Sequence, residues 1–242
     1  MEVSLALSAA VVLAVALGAL AQSVSGIGFS LVCGPLLVAA LGAADGVRLG
    51  ILLSLGLNAV LLARHRSDLD RGGALRLLVP TALAVPVFAV LLRDVPERPA
   101  AALAGGTIVL LTLLLAAGVR WRAARGTAGA VVTGVVAAAS TVVASVSGPP
   151  VALWAANAGW SADVQRATLQ AYFFGVNVVA LLSLGLPEVP LGLLAACAAA
   201  LAVGLAVGGP VARRIDELAA RRMTLALAGL GGAVVLCRAA LG

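Results

Sequence analysis

Two short stretches carry the residues with the most chemical potential. Ser23-Val24-Ser25-Gly26 and Ser145-Val146-Ser147-Gly148 are the same tetrapeptide, 122 positions apart (145 − 23) in a chain of 242 residues. Each interrupts long apolar runs, and Pro149-Pro150 follows the second. Serine and glycine let a chain turn, and proline stops a preceding helix yet costs little in the first turn of the next one. Helices restarting at Phe29 and near Val151 would aim unpaired N–H groups and the positive ends of their dipoles back at the breaks, a setting that attracts anions. The hydroxyls of Ser23, Ser25, Ser30, Ser145 and Ser147 add donors, and Gly26, Gly28, Gly148 and Pro149 shape the turns. The expected chemistry is recognition of a small anion.

Catalysis finds no comparable support. HExxH, GxSxG and phosphate-loop motifs are missing, and a Ser-Lys dyad is impossible in a chain without Lys. No metal or cofactor is expected: Cys33, Cys197 and Cys237 are isolated, form no CxxC, and read as small buried residues.

The elements that must hold such a site are membrane helices. The chain is 62% hydrophobic and only 11% charged, with a mean hydropathy of +1.15, far from the roughly 25% charged residues of soluble domains. Period-two alternation is absent, so helices are favoured over a barrel. The net charge of +6 sits in short loops, as in cytoplasmic loops of membrane proteins, and does not indicate nucleic acid. The expected partners are the lipid bilayer, the substrate and, with short loops that offer little docking surface, at most further copies of the chain.

Apolar runs divide the chain as 3–22, 28–42, 47–63, 74–92, 100–119, 128–146, 149–159, 166–185, 190–212 and 223–240. The first run lacks a basic leader and reads as a membrane segment, not a removed signal peptide. Runs 28–42 and 149–159 are too short to cross a bilayer upright, and each follows a Ser-Val-Ser-Gly break. Each break plus its short run is therefore expected to form a bent or re-entrant helix pair, with three membrane helices after it. Loops 64–73, 120–126 and 213–222 are rich in Arg, whereas loop 93–99 is balanced and loop 186–190 has no base. The positive-inside rule puts the first three inside and both termini outside. The halves, 1–120 and 127–242 joined by a cytoplasmic loop 120–126, then enter the membrane from opposite sides. Asp45-x-x-Arg48 and Asp163-x-x-Arg166, followed by Asn58 and Asn177, extend the internal similarity. Inverted repeats of this kind characterise secondary transporters, whose substrate sites lie between the repeats.

Polar residues inside apolar runs are the remaining candidates. Gln22 abuts the first break and is placed to donate to a bound oxygen. Asn58, Asn157, Gln170 and Asn177 either line a path or bond neighbouring helices. Arg166, followed by Thr168, Gln170 and Tyr172, is a candidate for the substrate's charge, with headgroup snorkelling as the alternative. Gly204-x-x-x-Gly208 and Gly105-Gly106 read as helix-packing surfaces, and His65 as solvated.

These features resemble a known family. Gly26-Ile-Gly-Phe-Ser-Leu-Val-Cys-Gly-Pro35 is similar to the G-x-G-G-G…P stretch of the TauE/SafE sulfite exporters, with Phe29 and Ser30 where glycines are usual. Ser147-Gly-Pro-Pro-Val-Ala-Leu-Trp154, Arg166-Ala-Thr168 and Asn177 resemble the family's second-half G-P-P…R-A-T…N pattern. The resemblance covers nearly the whole chain. It implies export of sulfite or small organosulfonates across the inner (plasma) membrane. A carrier of another sulfur-containing or neutral metabolite, and a membrane subunit that only anchors a complex, are the competing expectations.

Overall fold

The computed structural model describes residues 5–117, 126–212 and 217–241. The Arg-rich connection 118–125 and part of loop 213–222 lie outside those residues, as do the side chains of Ser25 and Asn157. Among the described residues the chain forms ten α-helices and one 3-10 turn, without strands. The helices are α1 (Leu5–Ser25), α2 (Phe29–Leu41), α3 (Ala43–His65), α4 (Arg71–Leu92), α5 (Glu97–Ala116), α6 (Gly126–Ala144), α7 (Gly148–Ala158), α8 (Ala162–Leu184), α9 (Leu191–Ala212) and α10 (Glu217–Leu241). Eight of them are long and apolar enough to cross a membrane. The protein is an all-helical, multi-pass membrane protein. The exceptions are α2 with 13 residues and α7 with 11, the two short runs that follow the breaks.

Local chemistry sets the helix ends. Several helices reach a few residues beyond their apolar runs because polar first turns suit a helix N-terminus. Asp45 and Asp163 lie in the first turns of α3 and α8, where a carboxylate meets the positive end of the dipole. Asp70 caps α4 by accepting from the Gly73 N–H at 2.9 Å, and Ser161 caps α8 through Val164 N–H. One boundary differs from the sequence expectation: α7 starts at Gly148, not near Val151, because proline fits the first helical turn.

The packing puts α3 against α8 in the interior, flanked by α1 on α9 and by α4 on α6, with α5 on α10. Leu83, Leu113, Val203 and Leu230 on α4, α5, α9 and α10 are exposed, as expected of helices that face lipid. Small residues allow the closest approaches. A methyl group added at Gly204 of α9 would meet the Ala16 carbonyl at 2.5 Å, and one at Gly105 of α5 would meet the Gly232 carbonyl of α10 at 3.0 Å.

The connections gather at two ends of the bundle. At one end, Glu97 accepts from the Ala43 N–H at 2.5 Å, and Asp45 accepts from the Glu188 N–H at 3.0 Å. At the other, Trp160 Nε1 donates to Asp70 at 3.1 Å, and the Asp70 N–H donates to Thr168 at 3.1 Å. The charge-balanced loop 93–99 and loop 186–190, which has no base, thus share an end with the start of α3. The Arg-rich loop 64–73 shares the opposite end with the α7–α8 connection. The short helix α2 leads to the first end, and α7 leads to the second.

Candidate functional site

Two three-residue turns, 26–28 and 145–147, separate α1 from α2 and α6 from α7. Their backbones match. Gly26 and Ser145 have φ of +79° and +55°, and their N–H groups donate to the Gln22 and Thr141 carbonyls at 2.8 Å. The N-cap residues that follow, Gly28 and Ser147, have φ/ψ of −91°/−21° and −101°/−13°. Glycine adopts a positive φ freely, whereas serine pays about 1–3 kcal/mol of backbone strain there. The two turns touch: a methyl group added at Gly148 would sit 3.5 Å from both Cβ and the carbonyl oxygen of Ile27.

Where the turns meet, mostly buried residues line a small, partly open chamber of about 20 Å³, room for roughly one water molecule. Its polar lining comes from Gln22, Ser30, Ser54, Asn58, Ser145, Ser147 and Asn177. Ser30 and Ser54 hydrogen-bond to each other at 3.2 Å. The Ser145 hydroxyl and Asn58 Oδ1 are buried without any hydrogen-bond partner. Orphaned buried polar atoms cost free energy and are uncommon in native proteins. Two of them in one chamber, one on a strained residue, mark a place where a ligand would complete the bonding. Gly50 makes room for this arrangement, because a methyl group there would lie 2.8 Å from Ser145 Oγ.

Each sequence-derived candidate now has a place. Ser30, Asn58, Ser145, Ser147, Gly148 and Asn177 line the chamber. Gly26 and Gly28 form the first turn, Pro149 sits in the first turn of α7, and Ser25 ends α1 with its side chain outside the description. Gln22 lines the chamber with its amide already engaged. Its Oε1 accepts from the Phe29 N–H at 3.0 Å, and its Nε2 donates to the Gly26 carbonyl at 2.9 Å. Gln170 donates to the same carbonyl at 3.3 Å. These two glutamines hold the first turn. Ser23 faces elsewhere: it donates to the Ala19 carbonyl at 2.8 Å and packs on Gly208 of α9. Arg166 is half-buried in the second turn of α8 and does not line the chamber.

The helix ends offer fewer backbone donors than the sequence suggested. Gln22 occupies the first N–H of α2. In α7 the second and third residues are Pro149 and Pro150, which carry no N–H. Side-chain hydroxyls and amides must therefore do most of the hydrogen bonding. What remains of the helix ends is the electrostatic field, since neither Gly28 nor Ser147 makes a side-chain cap bond.

Three features escaped the sequence reading. Ser54 lines the chamber one helical turn before Asn58, a polar pair at i, i+4 in an apolar helix that periodicity alone exposes. A vestibule of about 320 Å³ opens at the end that holds Glu97 and is lined by Arg48, Arg93, Val142, Val143 and Ser183 among others. Val146, in the second turn, lines the chamber, so segment 142–146 is the wall between vestibule and chamber. At the opposite end Trp160 bridges Asp70 and the edge of the Trp154 ring, 5.4 Å between centroids.

The chain matches the family described as Sulfite exporter TauE/SafE over residues 10–235. Neither the curated proteins nor the solved structures gave a match.

Proposed function

Because the chain belongs to the sulfite exporter TauE/SafE family of membrane transporters, we propose that it is a secondary transporter exporting a small anion, sulfite or an organosulfonate, across the inner membrane. The observation that carries this reading is the meeting of two non-helical turns at a polar chamber with buried, unpartnered groups. Irregular backbone is tolerated inside a membrane where it is enclosed by protein or lines a cavity. Thr112 Oγ1 and Trp154 Nε1 are orphaned elsewhere, so it is the convergence of two orphaned atoms and a strained serine at the paired turns, for which a passive anchor has no use, that favours transport.

The chamber lies between two inverted repeats, α1–α5 and α6–α10. Pairwise packing supports this. The contact of α1 with α9 has its counterpart in α6 with α4, that of α2 with α10 in α7 with α5, and that of α3 with α9 in α8 with α4. The return of α2 to one end and of α7 to the other fits opposite orientations. Arg-rich loop 64–73 makes the Asp70–Trp160 end cytoplasmic and the vestibule external.

The mechanism is alternating access around the chamber. In the present conformation the chamber holds about 20 Å³, too little for sulfite, so the substrate enters when the repeats part. Access from the cytoplasm requires Trp160 to leave Asp70. Release to the outside requires segment 142–146 to move. Ser145, Ser147, Ser30 and Ser54 donate hydroxyls to the anion's oxygens, and Asn58 and Asn177 donate amide hydrogens. Arg166 is a second-half cation near the cytoplasmic end, a station on the approach rather than part of the chamber. Nothing in this arrangement requires a covalent step, and the protein is a carrier rather than an enzyme.

Labelled sulfite flux through proteoliposomes tests the function. Protein-dependent flux that saturates and is lost in Ser145→Ala supports it, and flux no greater than in protein-free liposomes contradicts it.

A further inference from the structure

We propose that the chamber carries singly charged anions only: the hydrogen sulfite form of sulfite and organosulfonates without a second acid group, with sulfite dianion and sulfate rejected. This rests on the transport reading above and adds a charge rule to it.

The rule follows from what surrounds the chamber. Among the described residues none that lines it is ionisable; its polar groups are serines, asparagines and a glutamine. Arg48 and Arg93 line the vestibule, beyond the wall at 142–146, and carry acidic neighbours: Asp45 lies 3.7 Å from Arg48 and Asp94 3.1 Å from Arg93. No full positive charge therefore meets the substrate inside. What does meet it is the start of two helices, because Phe29 and Ser30 of α2 and Ser147 and Gly148 at the start of α7 line the same space. Neither start carries an acidic residue in its first turn. Each helix N-terminus is worth at most about half a positive charge, less where Gln22 takes the Phe29 N–H and where Pro149 and Pro150 have none, so the pair supplies no more than about one. That balances a monoanion and leaves a dianion half uncompensated.

Desolvation sharpens the difference. The cost of moving an ion out of water rises with the square of its charge, and a buried charge needs both countercharge and hydrogen bonds. The orphaned Ser145 hydroxyl, on a residue 6% exposed, can donate to an anion's oxygen, whereas the orphaned Asn58 Oδ1, on a residue 3% exposed, only accepts and suits a ligand that keeps a proton of its own. Neutral donors of this kind recognise oxygens but do not neutralise a second charge. A hydrogen sulfite or sulfonate ion also keeps one substituent, a proton or an organic group, that needs no positive partner.

Sulfite itself provides the test, because it passes from singly to doubly charged near neutral pH. The full chain is reconstituted, and flux at fixed total sulfite is followed from below to above that ionisation, with leakage in protein-free liposomes subtracted. Methanesulfonate, singly charged throughout, and sulfate, doubly charged throughout, are measured beside it. Sulfite flux should fall about tenfold per pH unit above the ionisation, following the monoanion fraction. Methanesulfonate flux should stay level, and sulfate flux should remain at background. Sulfate flux comparable to methanesulfonate flux, or sulfite flux that holds level or rises with the dianion, would overturn the charge rule while leaving transport intact. Background flux of both sulfite and methanesulfonate at every pH would overturn the transport reading, and the rule with it.

Discussion

Gly26 and Ser145, 119 positions apart, hold the same left-handed turn position, each N–H donating to the carbonyl four residues back at 2.8 Å. Asn58 and Asn177 are separated by the same 119 positions, and both line the chamber. The Ser-Val-Ser-Gly tetrapeptides are 122 apart, so they fall out of step with this register by three residues. In the first half Ser23 and Ser25 still belong to α1, whereas in the second Ser145 and Ser147 are the turn itself. Serine thus stands in the second turn where glycine stands in the first, at the cost of backbone strain.

That substitution is testable in both directions. Ser145→Gly relieves the left-handed strain and removes a buried hydroxyl without a partner, so it should stabilise the protein by roughly 1 kcal/mol. Flux should nevertheless fall, because the hydroxyl is lost to the substrate. Thermal unfolding in detergent and flux at matched protein amounts check the pair. A serine with only a structural role would give a stabilised variant with unchanged flux.

The hydrogen bond from Trp160 to Asp70 predicts a change in access. Trp160→Ala frees Asp70, at the end proposed to be cytoplasmic, while leaving its cap on Gly73 in place. In a background with Cys33, Cys197 and Cys237 replaced by alanine, a cysteine at position 147 should react faster with an impermeant thiol reagent from the cytoplasmic side once Trp160 is removed. Equal labelling rates with and without Trp160 would rule out a gate there.

Packing between α1 and α9 predicts a stability loss unrelated to the chamber. Gly204→Val brings a side chain against the Ala16 carbonyl, 2.5 Å from the added Cβ. Overpacking of this sort costs about 1–3 kcal/mol, to be read as a lowered unfolding temperature. An unchanged temperature would mean that α9 does not sit so close to α1.

Much of the fold was legible because a bilayer imposes strict lengths. Helix ends follow the apolar runs, and the two short helices follow the two breaks, since Gly, Ser and Pro punctuate a chain in the same way in lipid as in water. The family was legible from Gly148-Pro149-Pro150, Arg166-Ala167-Thr168 and Asn177. Side-chain direction was not. Ser23 and Ser145 occupy matching places in the tetrapeptide, yet one packs on Gly208 and the other lines the chamber, because Ser23 still lies within α1 whereas Ser145 stands in the turn after α6 with a left-handed backbone. Gln22 looked like a free donor, but the turn it adjoins leaves an N–H and a carbonyl that it satisfies itself. The contacts of Asp70 with Trp160 and of Glu97 with Ala43 join residues distant in sequence, and no local pattern announces them.

The central claim is that a small anion passes through the chamber between the two turns. Asn58 and Asn177 test it most directly, since they come from the two packed helices α3 and α8 and Asn58 Oδ1 has no partner to lose. Replacing both with leucine should leave the protein folded, with an unfolding temperature near wild type, and should cut saturable sulfite flux in proteoliposomes at least tenfold, about 1.4 kcal/mol of lost substrate interaction. Wild-type flux from a folded Asn58→Leu, Asn177→Leu protein would contradict the account.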